Sequence, residues 1–127
     1  MGYQLNPLSA SYPAGNFDFS ATTGPIFVKF DSTSRVVPAT VNSKIEGIIT
    51  NTPPIGNVCS VAYVGVTKLK VDNAYVPGIL LTSDSQGLGT ACTGDSTLGR
   101  AIVLEASDAT NNIIAVRLTD SNMISNA

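Results

Sequence analysis

Nine carboxylates are the first groups in this 127-residue chain that could carry chemistry: Asp18, Asp31, Glu46, Asp72, Asp84, Asp95, Glu105, Asp108 and Asp120. Paired carboxylates can run acid–base chemistry without imidazole. Most of these acids, however, stand beside Ser, Asn or Gly, the setting in which Asp builds turns. No acid-x-acid-x-acid loop suggests calcium. The chain has no histidine, which removes the commonest general base, the Ser–His and Cys–His pairs, and the commonest transition-metal ligand. Cys59 and Cys92 match no zinc or redox spacing. Cys59 reads as a small core residue, and a Cys59–Cys92 bridge stays open. Gly89 to Ser96 copies the glycine spacing of a phosphate-binding loop, but Asp95 stands where that motif needs a lysine. The expectation is therefore no enzyme: no catalytic residue, no cofactor and no metal site.

The elements around these residues are short and alternate with a period of two. Ile26, Val28 and Phe30 share one face of a first strand. Asp31 to Ser34 turns the chain into Arg35-Val36-Val37. Lys44 to Ile49 is a further strand containing Gly47. Asn51 to Gly56 carries two consecutive prolines, which remove ladder donors, and cannot be regular structure. Val58 to Val71 is the longest strand, with Val61, Tyr63, Gly65, Thr67, Leu69 and Val71 on one side. Its other side changes from Ala62, Val64 and Val66 to Lys68 and Lys70, and a bend or sheet corner near Gly65 allows this. Turns at Asp72-Asn73 and Pro77-Gly78 flank a short strand pair. Ile79 to Thr82, Leu98 to Leu104 and Ile113 to Leu118 complete the set, with a turn at Ser107 to Asn112.

Many short strands without an amphipathic helix predict an all-β fold, a small barrel or sandwich of short antiparallel strands. Asp84 to Ser96 is the one stretch where a helix has room.

Residues 1–24 read differently. They carry one charge, Asp18, and show no period, yet Tyr3, Leu5, Leu8, Tyr12, Phe17 and Phe19 are spread through them. Disordered tails usually lack aromatics. The division expected is an extended N-terminal arm over 1–24 and a β-barrel-like domain over 25–127. Those six residues are the candidate contacts of the arm with a partner. The alternative is an arm folded back onto its own barrel.

Charged residues make up 13% of the chain, against roughly 25% in an average soluble domain. A surface of short neutral side chains loses little rotamer entropy and strands no charge when a partner covers it. Net charge is −2. Seven scattered Lys and Arg do not form the basic stripe that nucleic acid requires, and no apolar run reaches the ~18 residues of a spanning helix. Neither nucleic acid nor membrane is expected as a partner. Met1 to Gly15 lacks the basic flank and apolar stretch of a secretory signal, and Asn6 replaces the Ser or Thr that Gly2 myristoylation needs.

A series of short marks adds a resemblance. In order they are Phe27-Val28-Lys29-Phe30; Ile45-Glu46-Gly47-Ile48-Ile49; Gly56 leading into Val58-Cys59-Ser60-Val61-Ala62; Gly65 to Val71; Pro77-Gly78-Ile79-Leu80-Leu81; Leu98-Gly99-Arg100-Ala101; and Ile114-Ala115-Val116-Arg117-Leu118. In that order the stretch from Ile26 to Leu118 resembles the small β-rich decoration, or cement, proteins of tailed-phage heads. The resemblance implies a virion protein, made in the host cytoplasm and seated on the outer capsid surface. It implies a homotrimer that stabilises the shell by bridging major capsid subunits, with no catalysis. The rival reading is a carbohydrate- or receptor-binding β-module on a virion.

Overall fold

The computed structural model describes residues 8–15, 17–19, 24–41, 43–51, 57–92, 98–107 and 112–124. Among these described residues nine strands carry the fold: β1 (Leu8–Pro13), β2 (Phe27–Phe30), β3 (Val36–Pro38), β4 (Gly47–Ile49), β5 (Val58–Lys70), β6 (Leu80–Ser83), β7 (Gly89–Ala91), β8 (Leu98–Val103) and β9 (Ile113–Ile124). The protein is all-β, as its period-two patterning predicts. Every ladder is antiparallel, and the strands run β3-β2-β4-β5-β9-β8-β6-β7 with β1 also paired to β5.

The long strand β5 belongs to two halves. Val58 to Val64 pairs with β1, and Val61 and Ala62 within that stretch also pair with β4, whereas Gly65 to Lys70 pairs with β9. The changeover falls at Gly65, whose φ of 101° lies where L side chains are strained. This is the sheet corner expected there. Each half then curls back toward its own start. Ala14, just after β1, bridges Val36 of β3, and Val71, just after β5, bridges Gly89 of β7. Both bridges are parallel, as they must be: five strands in alternating directions return to the first with the same sense.

Two cores follow from two halves. In the first half Ala14, Phe19, Ile26, Val28, Val36, Ile49, Cys59 and Val61 cluster together. In the second half Leu69, Val71, Leu81, Ala101, Val103, Ile114, Val116 and Leu118 cluster, joined by Phe27, Ile48 and Ala62 from the first-half strands. Strands β2, β4 and the start of β5 are thus buried on both faces. That explains the consecutive apolar pairs Phe27-Val28, Ile48-Ile49 and Val61-Ala62, which strict alternation does not produce. Each fully buried large side chain contributes about 1.5–3 kcal/mol.

Tyr63 shares a side of β5 with the buried Val61, Thr67 and Leu69 yet is 38% exposed, where the strand leaves one half for the other. Strand β9 runs beyond Leu118 to Ile124. Its register with β8 jumps from Ala101↔Leu118 to Gly99↔Met123, so residues 119–122 bulge opposite Arg100. There is no strand pair at Ala74–Val76. There is also no helix at Asp84–Cys92, where the sequence leaves room for one. A tight turn stands there instead, because the Asp84 carboxylate accepts hydrogen bonds from the backbone N–H of Gln86 (2.8 Å) and Leu88 (3.0 Å), and Gly87 takes a φ of 85°. The rest of that stretch, 93–96, lies outside the described residues, as do 52–56 with both prolines and the glycine, and most of the expected Ser107–Asn112 turn.

Candidate functional site

The aromatic residues near the N-terminus are the first candidates. Tyr3 and Leu5 lie outside the described residues. Leu8 opens β1 and is 57% exposed. Tyr12 is half-buried on the first core, its ring edge-on to Phe30 with centroids 4.8 Å apart. Phe17 meets Phe19 edge-on at 4.9 Å. Phe19 is fully buried.

These positions correct the expected division at residue 24. Residues 8–15 and 17–19 are part of the domain: β1 completes the first half, and Ala14 and Phe19 close its core. The physical reason is that the first half lacks a fifth strand and a cover for Val28, Ile49 and Val61 unless this segment supplies both. Phe19 therefore cannot anchor the chain to another molecule, and the folded-back alternative describes residues 8–15 and 17–19.

The acids are next. Asp31 Oδ1 accepts from Thr33 N (2.8 Å), Thr33 Oγ1 (2.7 Å) and Arg35 N (3.0 Å). The Thr33 hydroxyl, then the two backbone amides, hold its carboxyl below the usual carboxylate range. Glu105 accepts from Lys68 Nζ at 2.8 Å and from Ala115 N at 2.6 Å, and these hold its carboxyl down in the same way. Asp72 accepts from the Tyr75 hydroxyl at 2.7 Å. Tyr75 O in turn accepts from Ser107 N, while Ser107 Oγ accepts from Tyr75 N. Burial pushes the Tyr75 phenol up, with the Asp72 hydrogen bond adding to the rise. Asp31, Asp84, Asp72 and Glu105 thus staple turns and strands.

Cys59 and Cys92 are not joined in a disulfide, and burial pushes both thiols up. The open question of a bridge is answered by their placement, Cys59 in the first core and Cys92 after β7. Gly89 to Ala91 of the phosphate-loop look-alike is strand β7. Among the described residues no group of three or more Cys, Asp and Glu could hold a metal ion, and no helix is long and apolar enough to cross a membrane.

One concave feature stands at the junction of the halves. It is a half-open groove of about 290 Å³ lined by Ala10 and Tyr12 of β1, Val61 and Tyr63 of β5, Glu46 before β4, and Arg100 of β8. Arg100 is 5% exposed. Its guanidinium donates to the carbonyl of Thr119, to Tyr63 O at 2.7 Å and to Glu46 O at 3.5 Å, and Thr119 Oγ1 donates back to Arg100 O at 3.1 Å. One side chain thereby ties β8, the β9 bulge, the β5 corner and the approach to β4. Sequence reasoning missed this role. The available signal was a lone charge in the apolar run Leu98 to Val103, since a buried charge requires partners.

The sequence matches no protein-family model and no curated protein.

Proposed function

We propose that this chain is a structural protein of a tailed-phage head, a decoration protein that binds the outer capsid surface as a trimer and bridges major capsid subunits. The observation that supports it best is a firmly braced β-domain with an exterior poor in charge. The loops at Ser32–Ser34, Thr40-Val41, Thr50-Asn51 and Ala74–Gly78 present mainly hydroxyl, amide and aliphatic groups. Val41, Val58 and Val76 are each about 60% exposed. Covering such groups costs little side-chain entropy and desolvates no ion. The ordered marks from Phe27 to Leu118 supply the family resemblance.

Three linked copies would present three weak contacts at once, and tethered contacts act at high effective concentration. Apolar strand surface buried between copies would stabilise each by mass action. With the described part of the N-terminal segment committed to its own fold, the shell contacts are expected from exposed loops and from Leu8.

The test is co-sedimentation of the purified chain with assembled heads and, separately, with unassembled capsid subunits. Saturable binding to heads, at a copy number divisible by three, is expected. A chain that stays in the supernatant with intact heads would overturn the proposal.

A further inference from the structure

We propose that the chain carries the two matching faces of a head-to-tail joint with a second copy of itself, and that Arg35 and Arg117 keep that joint from closing. This goes beyond the decoration role and does not rest on it.

The joint is legible because the two halves are two versions of one unit. The first half runs β1-β5-β4-β2-β3, and Ala14 after β1 bridges Val36 of β3. The second runs β5-β9-β8-β6-β7, and Val71 after β5 bridges Gly89 of β7. Taken in chain order within each half, the strands are connected in the same way. The hydrogen bonds agree residue by residue. Asp31 Oδ1 accepts from Thr33 N and Arg35 N, as Asp84 Oδ1 accepts from Gln86 N and Leu88 N. Ser34 and Gly87 take positive φ in those two turns, 62° and 85°. Ala14 N donates to Asn57 O, as Val71 N donates to Asn112 O. Ile48 pairs with Phe27 and Ala62, as Ile102 pairs with Leu80 and Arg117. Phe27, Ile48 and Ala62 thus have Leu80, Ile102 and Arg117 as their counterparts, and Leu88 has Arg35.

Inside the molecule the second half docks on the first through these positions. The β6–β7 turn reaches over the start of β2, where Phe27 N donates to Gly87 O at 2.8 Å, and Leu88 packs on the first core. Phe27, Ile48 and Ala62 are fully buried in the second core. Both faces of this joint recur at the ends of the molecule. The second half presents Leu80 and Ile102, each half-buried, beside the exposed Arg117. The first half presents the β2–β3 turn, exposed from Ser32 to Arg35. That turn of one copy, set on the outer face of the next, would repeat the internal joint. Two unlike faces joined in this way build rings or open chains.

Two side chains oppose the repeat. Arg117 stands where Ala62 is fully buried, and Arg35 stands where Leu88 packs on a core. Closing the joint would take both guanidiniums out of water at positions shaped for small or aliphatic groups, and burying such charges is costly. Stacked repeats stay soluble through polar outer faces on their terminal units. Arg35 and Arg117 supply that polarity at the two ends of this pair.

The experiment is sedimentation velocity of the full chain over a concentration series. In the double variant Arg35→Leu with Arg117→Ala, each arginine takes its counterpart's side chain. Species larger than those of the unaltered chain are expected, with self-association tighter by roughly tenfold or more. Returning a charge to the same face by adding Ile102→Lys should reverse the gain, and Arg35→Lys with Arg117→Lys should behave as the unaltered chain. Each single change should give part of the gain, so either carries the test if the double variant does not fold. Three results would overturn the proposal: folded variants that sediment as the unaltered chain does, association that survives Ile102→Lys, or equal association by the lysine variant.

Discussion

Arg100 shows how one side chain can hold a junction by donating to backbone carbonyls. Its guanidinium answers three carbonyls from three separate segments. Arg100→Ala would leave those carbonyls inside the fold without a donor, and a loss of about 2–4 kcal/mol in urea unfolding is expected. Arg100→Lys should recover little, because a single ammonium cannot span the same fork. Asp31 and Glu105 give a pH dependence. Both carboxyls are held below their ordinary values of 3.8 and 4.5 in the fold. Their stabilising effect is therefore fully present above those values and is lost as pH falls through the depressed ones. The urea midpoint should stay level from neutral pH to about 5 and drop below about 4, and Asp31→Asn should flatten part of that drop. The turn role of Asp31 and Asp84 was legible from their Ser, Thr and Gly neighbours. The groove was not, because Glu46, Tyr63 and Arg100 are far apart in sequence and meet only through the corner in β5 and the bulge in β9.

Strands were readable wherever one face is buried. Ile114, Val116 and Leu118 alternate cleanly with their neighbours, and β9 follows. The doubly buried and shared strands were legible as strands, but the burial of both their faces was not. Phe27-Val28 serves two cores, and residues 8–19 carry too few apolar positions in period to announce a strand and a core cover. Phe19 is the sharpest case: deleting residues 2–20 should cause loss of cooperative unfolding, and Phe19→Ala alone should cost about 3–5 kcal/mol. A deletion variant with an unchanged melting curve would show that the first half closes without this segment. Gly47 tests the tight β4–β5 contact. A Cβ there would stand 2.2 Å from the Ala62 carbonyl oxygen, so Gly47→Ala should lose about 3 kcal/mol or fail to fold. The corner is a milder test: Gly65→Ala should lose roughly 1–3 kcal/mol through strain at positive φ.

The whole molecule is two small β-halves joined through one strand, each curled back by a single parallel bridge. Period-two patterning gave the class of fold, and composition the low charge content of the chain. Neither could give the sharing of β5, since that depends on pairings as distant in sequence as Leu8 with Val64 and Gly65 with Leu118. The same low charge predicts a property of the proposed assembly: binding to heads should vary little between low and high salt, because few ion pairs are there to be screened. A steep salt dependence in the sedimentation assay would assign the interface to charged groups instead. The most direct measurement is a reconstruction of the intact virus particle that carries this chain. Density matching the two-half β-domain, in groups of three on the outer face of the shell and touching more than one capsid subunit, is expected. A shell whose outer face lacks that density, in particles shown by mass spectrometry to contain the chain, would contradict the decoration role.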